Sequence, residues 1–187
     1  MIIATLVPNN YFAPWDFVKS MLSLPPRYQF LAIQSPSVAD NRNRIFAILK
    51  EKKEDLLMID SDMVFTPEDV RKIEEHLATK DVVSGICPLG APPFKPAIFK
   101  RMGNDYELCP FEEGVNEIGA CGAAFMGVSK AVIEKLAQNP FNEYWEGSVK
   151  HGEDVSFCRR VTDAGFKIWS DSSIKIGHIR NEVHFVV

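Results

Sequence analysis

Short apolar runs alternate along the chain with segments whose apolar residues recur three and four positions apart. These are the signatures of buried strands and of one-sided helices. Ile2 to Val7 reads as a first strand. Pro14 then opens a short helix in which Phe17, Val18, Met21 and Leu22 fall at helical spacing, and Pro25-Pro26 stops it. Tyr28 to Ile33 gives a second strand, and Val38 to about Lys50 a second helix with Ile45, Phe46, Ile48 and Leu49 inward. Leu56, Leu57, Met58 and Ile59 form a strand that is apolar on both faces, as in a parallel sheet. Thr66-Pro67-Glu68-Asp69 is a helix start: threonine caps, proline occupies the first turn, and two acids meet the positive end of the dipole. That helix runs to about Leu77, and Val82 to Ile86 is the next strand.

Alternation of strand and helix through residue 86 predicts an α/β fold, a mostly parallel central sheet with helices on both faces. Residues 87 to 118 then break the rhythm with proline and glycine. Their short runs, such as Ala97 to Arg101, predict an irregular or antiparallel insertion on the ligand side. The stretch GACGAAFMGV, residues 119 to 128, is small and apolar. Ser129 caps a helix to about Ala137, and Gly152 begins another that Gly165 ends as a C′ glycine. Strands at Phe166 to Trp169 and Ser173 to His178 follow.

A length of 187 residues, 46% of them hydrophobic, suits one domain with a substantial core, so residues 1–187 are read as a single unit. The net charge of −4 argues against a broad nucleic-acid-binding surface, and any phosphate ligand would need a local cation. No run approaches the roughly 18 apolar residues of a transmembrane helix. The N-terminus lacks the basic region of a signal peptide. Cys87, Cys109, Cys121 and Cys158 form no C-x-x-C pair, which leaves reduced thiols in a cytoplasmic protein as the expectation.

The apolar strand at 56–59 ends in Asp60-Ser61-Asp62, where unpaired carboxylates would be costly if buried. In extended backbone, residues two apart point the same way, so Asp60 and Asp62 can converge. Beyond the carboxyl end of a strand such a pair fits Mg²⁺ or Mn²⁺ with nucleotide phosphates completing the shell. The plainer alternative is a polar turn before the Thr66 cap. Glu153 and Asp154 open a helix, where they either offset the dipole or supply a base for an attacking hydroxyl. His178 follows Ile174 and Ile176 by alternation, as a core histidine or as a third metal ligand. Arg42 and Arg44 precede the apolar part of their helix, either to meet a phosphate or as a solvated face.

Taken together, Val7-Pro8, Arg42-Asn43, Asp60-Ser61-Asp62, Gly119 to Gly122, Glu153-Asp154 with Arg159, Ala164 and Gly165, and then His178 resemble the glycosyltransferases of the GT-A fold, most closely family 2. The order and spacing cover nearly the whole chain. The resemblance implies a single GT-A, nucleotide-diphospho-sugar-transferase-like domain with a nucleotide-binding half (1–86) and an acceptor and catalytic half (87–187). It implies a metal-dependent enzyme moving a sugar from a nucleotide-sugar donor (a UDP- or GDP-sugar) to an acceptor hydroxyl, with inversion. By the same resemblance Asp60, Asp62 and His178 hold Mn²⁺ or Mg²⁺, Asp154 is the base, and Glu153 supports it. Pro8, Arg42, Asn43 and Ser61 adjoin the nucleotide, while Gly119 and Gly122 let backbone approach the sugar. The family's QxxRW-like element has no counterpart here, so the acceptor is not carried over, and self-association stays open. A nucleotidyltransferase shares the architecture but would want a Gly-rich basic loop after the first strand, which VPNNYFAPW does not supply. The other alternative is a non-catalytic nucleotide-sugar or glycan-binding domain.

Overall fold

Leu56 to Ile59 are almost completely shielded from water, and the strand they form lies in the middle of the principal sheet. The computed structural model describes residues 1–7, 12–110, 112–180 and 182–186. In chain order the first elements are β1 (Ile2–Leu6), α1 (Trp15–Leu22), β2 (Gln29–Ile33), α2 (Val38–Lys52) and β3 (Leu56–Asp60). Next come β4 (Met63–Val64), α3 (Pro67–Leu77), β5 (Val82–Ile86), β6 (Ile98–Met102), β7 (Asp105–Leu108) and β8 (Val115–Ile118). Then β9 (Ala120–Cys121), β10 (Phe125–Val128), α4 (Lys130–Lys135), β11 (Tyr144–Glu146) and β12 (Val149–His151) lead to α5 (Glu153–Asp163). β13 (Ile168–Lys175), β14 (Gly177–Ile179) and β15 (Val183–His184) complete the order.

Among the described residues the main sheet has seven strands, ordered β2-β1-β3-β10-β5-β13-β8. β2, β1, β3, β5 and β13 share one direction, while β10 and β8 run against their neighbours. The sheet is therefore mixed but mainly parallel, within an α/β fold. Two antiparallel sheets flank it, β7-β6-β9 and β15-β14-β4, and β11 with β12 makes a hairpin. The proline- and glycine-rich stretch after residue 86 supplies β6 and β7 as an antiparallel unit. It also adds β8 to the edge of the main sheet, where it pairs with β13.

β10 is the element that the residue pattern hides. Its four residues are all buried, so there is no alternation to reveal a strand, and Gly127 weakens the propensity signal. Nevertheless it fills the centre, pairing Phe125 with Ile59 on one side and Met126 with Ser84 on the other.

Alternation along each central strand divides the core. Leu56 and Met58 face Ile45, Phe46 and Leu49 of α2 together with Phe157, Cys158 and Val161 of α5. Leu57 and Ile59 face Phe17 of α1 and Val70, Ile73 and Leu77 of α3. On the first face Phe141 stacks on Phe157 with ring centroids 4.3 Å apart, and Phe46 meets both edge-on. Leu22, expected on the inward stripe of α1, is exposed. α1 lays Phe17 into the core instead, with Val18 and Met21 packed beside it.

The caps are where local chemistry fixes the ends. Thr66 Oγ1 accepts from the Asp69 amide (3.3 Å) and Asp69 Oδ2 accepts from the Thr66 amide (2.8 Å), a reciprocal box that starts α3. Gly165, with φ +88°, follows the end of α5 as expected. α4 stops at Lys135, short of Ala137, because Leu136 turns extended and tucks into the core while the Lys50 ammonium takes its carbonyl. The polar residues 171–173 do not break the chain into two strands. Asp171 Oδ2 accepts from His76 Nε2 (2.7 Å) and Oδ1 from the Ser173 amide (2.8 Å), so β13 continues through with an irregular register.

α3 lies close against β10 at Gly127, where an added Cβ would sit 2.5 Å from Ile73 Cγ2 and 3.2 Å from Leu77 Cδ1. Glycine-to-alanine exchange at an unstrained site stabilises by about 0.4–1 kcal/mol through the unfolded chain. Here Gly127→Ala should instead cost about 1–3 kcal/mol by overpacking, read from urea unfolding with an unchanged slope. A net gain would show that α3 yields without strain.

Candidate functional site

The carboxyl ends of β1 and β3 and the start of α2 enclose a cleft of about 390 Å³. Its walls include Leu6, Val7, Ser35, Pro36, Val38 and Asn41, and Asp60, Ser61 and Asp62 close one end. This is the position at which open α/β sheets collect ligands. Pro8 lies outside the described residues.

Asp60 is the last residue of β3, and both of its oxygens accept from Arg42 Nη2, at 3.0 and 3.1 Å. The other guanidinium nitrogen, Nη1, donates to Glu153 Oε1 at the start of α5. Arg42 is 4% exposed at its side chain and reaches Glu153 across 111 positions of sequence. Burial works against its charge, but Asp60, then Glu153 and Asp154, more than restore it, so the guanidinium stays protonated. Burial pushes the Asp60 carboxyl up, Arg42 pulls it back, and Asp62 adds to the rise. Arg42 is thus an internal clamp between Asp60 and Glu153, and not a solvated helix face. Asn43 is similarly committed: its Oδ1 accepts from the Phe141 amide and its Nδ2 donates to Asn142 Oδ1, both at 2.9 Å. These bonds anchor the 139–142 turn. Arg44 is exposed, on the solvated side of α2.

Asp62 belongs to a different constellation. His178 Nε2 lies 3.1 Å from Asp62 Oδ2, across 116 positions of sequence. His178 Nδ1 lies 3.1 Å from the Pro88 carbonyl, which can only accept, so Nδ1 carries a proton. Nε2 and a carboxylate oxygen would then face each other as two acceptors unless a cation lies between them. The Asp62 hydrogen bond raises the imidazole above its ordinary value, although burial opposes the rise, so a proton can fill that role. A carbonyl-oriented imidazole beside a carboxylate is also the donor chemistry of a divalent metal site with its orienting partner already in place. Among the described residues no three His, Cys, Asp or Glu side chains form a ready metal cage. A bound ion would thus depend on ligand oxygens as well.

Asp154 sits in the first turn of α5, half-buried, with Oδ1 accepting from the Val155 amide at 2.7 Å. Burial, and then the neighbouring Glu153, raise its carboxyl above the usual value, while Arg42 and the helix amides restrain the rise. Gly122 lies beside it: an added Cβ would be 3.9 Å from Asp154 Oδ2 and 3.3 Å from Ala97 Cβ. Gly119 serves packing, since a Cβ there would come 2.4 Å from the Arg101 amide nitrogen of β6. Ser61 lines the cleft between the two aspartates.

Two residues at the site were not singled out from the sequence. Asn41 is 3% exposed and lines the cleft; its Nδ2 donates to the Ser35 carbonyl at 3.3 Å. Its Oδ1 has no hydrogen-bond partner among the described residues. Arg180 places Nη1 3.7 Å from Asp62 Oδ2. The available signal for Arg180 was its spacing, two residues beyond His178 and therefore on the same side of an extended chain.

Replacing Arg42 would strand Asp60 and Glu153 without their common counter-ion. Arg42→Met should lower unfolding stability by about 3 kcal/mol, and adding Asp60→Asn should recover part of that loss. A stability within about 0.5 kcal/mol of wild type, the range of an ordinary surface change, would show that the clamp carries little.

No family model and no curated protein matches the sequence. Among solved structures, A197 from STIV aligns at 21% identity and a TM-score of 0.70, covering 96% of this chain and 86% of its own. A provisionally named nucleotide-diphospho-sugar transferase from Desulfovibrio desulfuricans G20 aligns at 12% identity and a TM-score of 0.49, covering 90% of this chain and 78% of its own. The first likeness shows a common fold, and neither level of identity transfers a function.

Proposed function

We propose that this chain is a glycosyltransferase of the GT-A type, moving a sugar from a nucleotide-sugar donor to an acceptor hydroxyl with inversion and with the help of a divalent metal. The observation that carries the reading is the convergence of Asp62 with His178, and of Asp154 with the Arg42 clamp, beside a cleft at the carboxyl ends of parallel strands. The cleft walls come from the first 86 residues, while Glu153, Asp154 and His178 come from the rest, which supports assigning the nucleotide to the first half and the acceptor to the second.

The cleft would receive the nucleoside, with its diphosphate at the Asp60–Asp62 end. Asp62 and His178 would hold Mn²⁺ or Mg²⁺, with Asp60 contributing only as far as its bonds to Arg42 allow. Such an ion supplies positive charge against the diphosphate when bound. Asp154 accepts the proton of the acceptor hydroxyl as that oxygen bonds to the anomeric carbon. The bond from that carbon to the diphosphate oxygen breaks, and its electron pair leaves with the nucleoside diphosphate. Attack from the face opposite the leaving group inverts the centre. A carboxylate shifted upward by burial is a stronger base than a solvated one, which suits this role.

Calorimetry should show UDP or GDP binding in the presence of Mn²⁺ and much more weakly after EDTA. Asp62→Ala should lose the metal effect while remaining folded. Equal binding with and without metal would remove the metal assignment.

Asp154→Asn keeps the shape and removes the basic lone pair. Turnover should fall about 100-fold or more with donor affinity near wild type. The wild-type rate should also decline on acidification at a higher pH than a solvated aspartate would give, because protonation silences the base and Asp154 is shifted upward. Undiminished transfer by Asp154→Asn, or an NMR spectrum showing the donor's anomeric configuration retained, would overturn the assignment.

A further inference from the structure

Asp62 is approached by a second cation besides the His178 ring. Arg180 follows directly on β14, and its side chain is about half exposed at 48%. Its Nη1 lies 3.7 Å from Asp62 Oδ2, too far for a hydrogen bond and open to water, so the pairing is weak. The backbone beneath it is well tied. The Ile179 amide donates to the Asp62 carbonyl at 2.8 Å, and the Arg180 amide donates to the Glu182 carbonyl at 2.9 Å. The base of the side chain is therefore fixed relative to Asp62, while its tip remains exchangeable.

The guanidinium also lines an open cleft of about 720 Å³ together with Gly90, Phe94 and His184. Asp62 lines the 390 Å³ cleft, so its contact with Arg180 links the two spaces. Gly90 makes room for this arrangement. A Cβ at that position would lie 2.6 Å from Arg180 Nη2 and 3.3 Å from Cζ, displacing the guanidinium. Arg42 cannot take the same part, because its terminal nitrogens are held by Asp60 and Glu153.

We infer that Arg180 is the cation that grips the donor's diphosphate, leaving Asp62 for the phosphate oxygens when a nucleoside diphosphate spans the junction of the two clefts. This rests on the donor chemistry proposed above. A guanidinium can meet two phosphate oxygens at once, which a weak and partly solvated contact with one carboxylate oxygen does not match. As the bond to the sugar breaks and its electron pair passes to the diphosphate, the same contact stabilises the departing charge.

The test compares wild type, Arg180→Ala and Arg180→Lys in calorimetric titrations with UDP and GDP in Mn²⁺. Uridine, guanosine and Mn²⁺ alone serve as controls, the nucleosides being followed by NMR. Diphosphate affinity should fall about tenfold or more in Arg180→Ala, with partial recovery in Arg180→Lys and a shallower dependence on salt. Nucleoside and Mn²⁺ affinities should stay at wild-type values. Diphosphate binding unchanged in Arg180→Ala would overturn this inference while leaving the proposed function standing. An equal loss of Mn²⁺ affinity would overturn it too, by showing that Arg180 only steadies Asp62. A wild-type protein that binds neither diphosphate would remove both the proposed function and the role of Arg180.

Discussion

A guanidinium held away from water must keep anionic company, and Arg42 has it on both sides. Asp60 at the end of β3 and Glu153 at the start of α5 share that single charge. Through it the central strand, the second helix and the last helix meet at one point, and each carboxylate is held there by a partner it cannot replace. Ion pairs of this kind contribute little net stability, because desolvation offsets most of the attraction. Their value lies in geometry. The Phe46, Phe141 and Phe157 cluster packs α2 against α5 from within the core, and the Arg42 clamp closes the same pair of helices at the rim. The first turn of α5, with Asp154 on it, has little freedom left.

Much of the fold is legible in the chain because local chemistry and burial agree. The Thr66–Asp69 box, Gly165 after α5 and the apolar run 56–59 each specify one structure on their own. The reading runs out where a residue's partner is remote. Phe125 to Val128 show no period, and only the gap between β3 and β5 makes them a strand. Asp171 looks like a break in the chain until His76, 95 positions away, supplies its partner.

The candidate site divides in the same way. The D-x-D pair stands out by its position after a buried strand, yet its two members have different neighbours. Asp60 faces inward to Arg42, and Asp62 faces His178 and Arg180. Sequence spacing shows that the two can point alike, but not which cation waits for each. Arg42 illustrates the limit from the other side: an arginine near a helix start suggests phosphate, and only its burial between two acids reveals an internal clamp.

The antiparallel β10 also bears on how such a chain acquires its shape. β3 and β5 are separated in the sheet by a strand that leaves the ribosome about 40 residues after β5, so the first half of the chain emerges with a hole in its centre. Pairing across that hole closes long loops before any contact repays the entropy, a slow route to the native topology. The two halves that divide the proposed chemistry between them thus complete the central sheet only together. A fragment ending after β5 would present two unsatisfied strand edges of apolar sequence to any neighbour, where the whole chain presents none at its centre.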